Sequence, residues 1–136
     1  MSEPSNRDLV RRAFDAFGRG ALDWVGAHLS DDVTWHVAGH NRFSGDYQGR
    51  DTVLDLFGRA REATEGTLRF EPNDVVADAH HAVALGVGSA ENPKGQHVEF
   101  NFAMVFHVVE GKATEVWDLS EVGPSTDDFF GSLPGS

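Results

Sequence analysis

Seven histidines and 22 carboxylates are the groups able to move protons or hold a cation in this chain, which has no cysteine. Their spacing does not make a metal site. His36 and His40 are four apart, but they read as a strand residue and a residue beyond Gly39, so they do not share a helix face. His80 and His81 are adjacent beside a turn. No zinc-protease motif, phosphate-binding loop, nucleophile elbow or complete dinucleotide fingerprint occurs, and Gly86-Val87-Gly88 lacks both a third glycine and a following helix. No serine nucleophile can be identified. We therefore expect neither metal nor cofactor, and what remains is acid–base chemistry. An imidazole at His36 titrates near neutral pH and can pass a proton. A carboxyl at Asp118 can protonate an oxygen or, ionised, activate water. Trp117 and Asp118 are neighbours on a strand and face opposite sides. Trp is the cheaper residue to bury, which places Trp117 in a pocket and turns Asp118 away from it.

Positioning these groups falls to three helices and a meander of strands. Ser5 with Asp8 resembles a capping box, and Leu9, Val10, Ala13, Phe14 and Phe17 recur at helical spacing up to Gly18 and Gly20. A short second helix runs from about Ala21 to Leu29. Asp31 and Asp32 interrupt the pattern, and Val33 to Val37 reads as a short strand. A polar loop with Gly45 and Gly49 leads to Asp51, a good N-cap for a third helix carrying Val53, Leu54, Phe57 and Ala60 inward. From Thr67 the period changes to two. Strands are expected around Leu68 to Ala77 and from Ala82 to Val87, where Gly86 and Gly88 suggest a bend or bulge. Val98, Phe100, Phe102, Met104, Phe106 and Val108 alternate without a break, a strand of roughly 35 Å that should curve. Glu110-Gly111 turns the chain into a last strand, Ala113 to Val122.

Helices grouped first and strands grouped afterwards predict an α+β fold. We expect a cone: a strongly curved, mostly antiparallel sheet with about three N-terminal helices on its concave side and an apolar pocket at the open end. The inward set Phe100, Phe102, Met104 and Phe106 would line it. Trp24, Trp35, Tyr47 and Phe57 could help to hold a flat ligand, with Tyr47 as a lid residue; the simpler reading of each is core packing. Glu99, Asn101, Ala103, Val105 and His107 fall on the opposite face, which suits a homodimer interface. The 136 residues fit one domain, with a core of about 6–122 and a tail, 123–136, whose Phe129 and Phe130 could cap the pocket mouth. A formal charge of −11 repels phosphate backbones and anionic lipid, so neither nucleic acid nor membrane is an expected partner. No apolar run approaches the ~20 residues of a span, nothing at the start reads as a signal peptide, and a cytoplasmic location is expected.

Three stretches carry a resemblance: Asp32-Val33-Thr34-Trp35-His36-Val37-Ala38-Gly39, Gly45-Asp46-Tyr47-Gln48-Gly49-Arg50-Asp51, and Glu110-Gly111-Lys112-Ala113-Thr114-Glu115-Val116-Trp117-Asp118. With the helix order, they make the chain similar to the SnoaL-like branch of the nuclear transport factor two-like superfamily, in which ketosteroid isomerases, polyketide cyclases and limonene-epoxide hydrolases share one fold. The resemblance implies a small apolar molecule in the pocket and a cofactor-independent isomerase, cyclase, dehydratase or hydrolase. It places His36 where ketosteroid isomerases have their general-base aspartate, and Asp118 on the strand that carries a catalytic aspartate in the epoxide-hydrolase branch. The inward set departs from both patterns. It holds no second acid for an enolate oxygen and no arginine-held carboxylate. The alternative is a non-catalytic ligand-binding or assembly module, because this fold hosts such proteins too.

Overall fold

A computed structural model of the chain describes residues 5–120 and 128–130. Helix α1 (Asn6–Gly18) starts at Ser5, whose hydroxyl accepts from the Asp8 amide at 3.2 Å. Helix α2 (Leu22–Ala27) is a short stretch that ends before strand β1 (Leu29–Val37). The strand is longer than its apolar core suggests, because Asp31 and Asp32 continue it on exposed positions. The polar segment after Gly39 is not all loop. Gly45–Gln48 forms β2, antiparallel to β1, with Tyr47 opposite Trp35.

Helix α3 (Arg50–Ala63) begins two residues earlier than an Asp51 cap would give. Gly49 is the N-cap. Its amide still donates to Val33 at 2.8 Å, and its φ of 95° swings the chain from the sheet into the helix. Arg50 is secured by an ion pair to Asp31 at 2.9 Å. The strands β3 (Arg69–Ala77), β4 (His81–Glu91), β5 (His97–Val109) and β6 (Lys112–Asp118) then form the meander. No bulge interrupts the β4–β5 ladder at Gly86 or Gly88; the irregularity lies across from Gly86, between Pro72 and Asp74 of β3.

Among the described residues the sheet has six strands in the order β2-β1-β6-β5-β4-β3. Every pairing is antiparallel except β1 with β6. The result is the expected α+β architecture, a mostly antiparallel curved sheet with helices on one face. Phe100, Phe102, Met104, Phe106 and Val108 of β5 are buried beneath α1 and α3, whose Val10, Phe14, Phe17, Val53, Leu56 and Phe57 complete the core. Burying each such side chain contributes about 1.5–3 kcal/mol. The other face leaves Leu85 and Val87 exposed. No helix among the described residues is long and apolar enough to cross a membrane.

Candidate active site

The face that β6 presents inward is decided by one extra residue. Just past the Glu110-Gly111 turn, Val109 pairs with Lys112 and Val108 with Ala113. Continued without interruption, that register would set Trp117 opposite Met104. Instead His107 pairs with Glu115, so Thr114 is the unpaired residue of a β-bulge. Its hydroxyl donates to the His107 carbonyl at 3.3 Å and lies 2.9 Å from the His107 Nδ1. Beyond the bulge Met104 pairs with Asp118 and Val105 with Trp117. A shift of one residue exchanges the faces of a strand. Asp118 is therefore buried on the inner side, while Trp117 lies outside against the His36 ring, with centroids 5.5 Å apart. The expectation from the cost of burial, Trp117 inside and Asp118 outside, is reversed.

Asp118 lines a cavity of about 100 Å³ whose walls are otherwise almost wholly apolar, including Trp35, Val37, Phe43, Leu56, Phe57 and Phe100. Burial holds the Asp118 carboxyl above the usual carboxylate range; its bonds to Ser120 pull the other way without cancelling this. Ser120 donates to Oδ1 from both its amide, at 3.0 Å, and its hydroxyl. Oδ2 is the oxygen left for the cavity. A serine two residues after an aspartate is an Asx-turn signature, a signal of Ser120's role that was available in the sequence. Asn41 also lines the cavity, its Oδ1 accepting from the Phe43 amide at 2.9 Å. Phe130 closes one side and packs on Phe43 and Phe100. The rest of the 123–136 tail, Phe129 and Asp128 apart, lies outside the described residues.

His36 sits on the opposite face of β1 from Trp35 and lines neither this cavity nor a second one beneath α1. Both ring nitrogens are engaged, Nε2 with Glu115 and Nδ1 with Asp46, each at 2.7 Å. These bonds, that to Glu115 first, raise its pKa above the ordinary 6.5. Below about pH 6.5 the ring is charged in folded and unfolded chains alike, and the pair contributes fully. As pH rises through the folded value the contribution is lost. A partly exposed ion pair of this kind is worth about 0.5 kcal/mol. Denaturant titrations across this range should show stability falling as pH rises, and His36→Gln should flatten that slope. An unchanged slope would mean that the bonds to Glu115 and Asp46 carry no charge.

The remaining sequence candidates divide between walls and supports. Trp35 lines both the Asp118 cavity and the second one, whose wall also includes Met104 and Phe106. Tyr47 and Phe102 line neither. Tyr47 belongs to β2 rather than to a mobile lid, and its hydroxyl donates to the Phe43 carbonyl at 2.9 Å, holding the loop that carries Phe43. Phe102 is buried between the rings of Phe14 and Phe70. Trp24 stacks on His28 with centroids 3.9 Å apart. Among the described residues, no group of three or more His, Asp or Glu side chains is arranged to hold a metal ion.

The family model described as a SnoaL-like domain matches residues 10–116. An uncharacterized protein of Mycobacterium tuberculosis is 26% identical over 130 residues, covering 96% of this chain and 99% of its own. Among solved structures, Bal32a from a soil-derived mobile gene cassette superposes with a TM-score of 0.84 at 23% identity, over 90% of this chain and 94% of that one. A SnoaL-like polyketide cyclase from Agrobacterium tumefaciens superposes at 0.70 with 20% identity, over 88% and 93%.

Proposed function

This chain belongs to the SnoaL-like domain family, and from that premise we propose that it binds a small apolar molecule through one oxygen atom and acts on it by acid–base chemistry, with Asp118 as the acid. The observation that carries the reading is a carboxyl buried in an otherwise almost wholly apolar cavity and held above its usual pKa by that burial. A carboxylic acid that keeps its proton is a hydrogen-bond donor. Aimed at a carbonyl, epoxide or hydroxyl oxygen, it draws electron density toward that oxygen and can complete a proton transfer as charge develops. The surrounding aromatic rings lower the local polarity, which strengthens the interaction. Isomerisation, aldol-type cyclisation, dehydration and water addition all use such a step. The name of the Agrobacterium neighbour, a polyketide cyclase, is in keeping with chemistry of this class.

His36 has no part in this reaction. It faces away from the cavity and is held by two carboxylates. In the alternative reading the same cavity holds a ligand without changing it, and the presence of only one carboxyl among the described residues of its wall favours that version.

A matched pair of ligands tests the hydrogen bond directly. Cyclohexanone and methylenecyclohexane have nearly the same shape, but only the ketone accepts a hydrogen bond. Calorimetric or NMR titration should show the ketone binding about tenfold more tightly, the size of one good hydrogen bond. Equal affinities would remove Asp118 from the role of donor.

A further inference from the structure

A second cavity of about 80 Å³ lies behind the first, beneath α1 and against β5 and β6. The two share Phe17, Trp35, Phe57 and Phe70 as a common wall. These four rings form a chain of edge contacts: Trp35 on Phe57 at 4.8 Å, Phe57 on Phe17 at 5.5 Å, and Phe17 on Phe70 at 5.8 Å. The partition between the two cavities is therefore made of side chains and not of backbone. Behind it, His28 is the sole polar side chain among the described residues of the wall, and its Nδ1 donates to the Trp24 carbonyl at 2.8 Å. The second cavity therefore offers a ligand dispersion contacts rather than polar ones.

Met104, in the second cavity, is the inward cross-strand partner of Asp118, so the two cavities lie side by side on the same face of the sheet. We infer that the second cavity is the subsite for an apolar extension of the ligand whose oxygen meets Asp118. The substrate class is then an elongated molecule, with a compact oxygen-bearing head and an unbranched alkyl or narrow hydrocarbon tail. This rests on the reading of Asp118 as the head-group donor.

Cyclohexanones bearing methyl, ethyl, propyl and butyl groups opposite the carbonyl test it. Affinity should rise about fourfold per methylene over the first few carbons, the gain of burying a methylene, and then level off. Met104 and Met1 are the only methionines, so a carbon-13 methyl label at Met104 reports from the second cavity alone. Its signal should move with the butyl ketone and hardly with cyclohexanone. Ala13→Leu on α1 and Ala113→Leu on β6 each fill the second cavity from an independent element. Either should abolish the gain from the tail while leaving cyclohexanone affinity unchanged, which also shows that the variant is folded. If cyclohexanone binds but the tail adds nothing, or if the gain survives both filled variants, the subsite is refuted and the role of Asp118 stands. Failure of cyclohexanone itself to bind would remove the reading of Asp118 and the subsite with it.

Discussion

Asp118→Asn is expected to give a folded protein, more stable than the parent at neutral pH, that binds the ketone but no longer transfers a proton to it. The stability follows from the direction of the pKa shift. Below about 3.8, the ordinary value, the carboxyl is protonated in both folded and unfolded chains. As pH rises past that point the unfolded carboxyl ionises while the buried one keeps its proton. Stability therefore declines until the folded value is reached and stays low above it. Asparagine has the same shape, can accept the two Ser120 bonds at Oδ1 and does not titrate, so this decline should vanish from the pH–stability curve. The reactivity follows from the lost proton. An amide can still donate a hydrogen bond, so the ketone's advantage over methylenecyclohexane should persist in part. Exchange of the ketone's α hydrogens with solvent deuterium passes through the enol: the acid gives its proton to the oxygen while a solvent water takes the α proton, and the protein's acceleration of this exchange should drop about 10²- to 10⁴-fold. Asp118→Leu should lose both the ketone preference and the exchange. If the parent binds the ketone without accelerating exchange, the protein is a ligand-binding module and Asp118 only its anchor.

Gly86→Ala should destabilise the fold by about 3 kcal/mol or more in denaturant unfolding, a large loss for one added methyl group. A Cβ at Gly86 would stand 2.1 Å from the Glu71 carbonyl oxygen and 2.8 Å from the Pro72 Cα. Both are backbone atoms of the partner strand, and no side-chain rotation can relieve the clash. The position lies opposite Pro72, beside the slip in the β3–β4 register, so the strands would have to part where the ladder is already interrupted. Gly58→Ala is the control. It sits within α3 with nothing inside 4 Å of its added Cβ, and should stabilise by about 0.5–1 kcal/mol. A small effect at Gly86, comparable in size to that at Gly58, would mean that β3 and β4 approach less closely than these distances require.

The long alternation from Val98 to Val108 suffices to specify β5 and its buried face, because a two-residue period leaves one face apolar whatever the neighbours do. Helical spacing and the Ser5 cap specify α1 in the same way. Neither signal extends to β2, whose Gly45-Asp46-Tyr47-Gln48 has too few apolar residues to announce a strand and is held by its ladder with β1. The parallel contact of β1 with β6 joins residues about 80 positions apart, a pairing that no local pattern encodes.

The candidate site divides along the same line. Strand alternation sets a carboxyl and an indole side by side near the end of the last strand and makes them face opposite ways. Which one faces in follows from the pairing with β5. The Thr114 bulge moves β6 by one residue against β5, and a one-residue shift exchanges faces completely. Burial cost favours Trp inside, at position 117. The ladder, with Val116 buried between Phe106 and Trp35 as its partners, outweighs it. His36 follows from the same register: Trp35 faces in, so His36 faces out, where Asp46 and Glu115 arrive from two neighbouring strands to hold it.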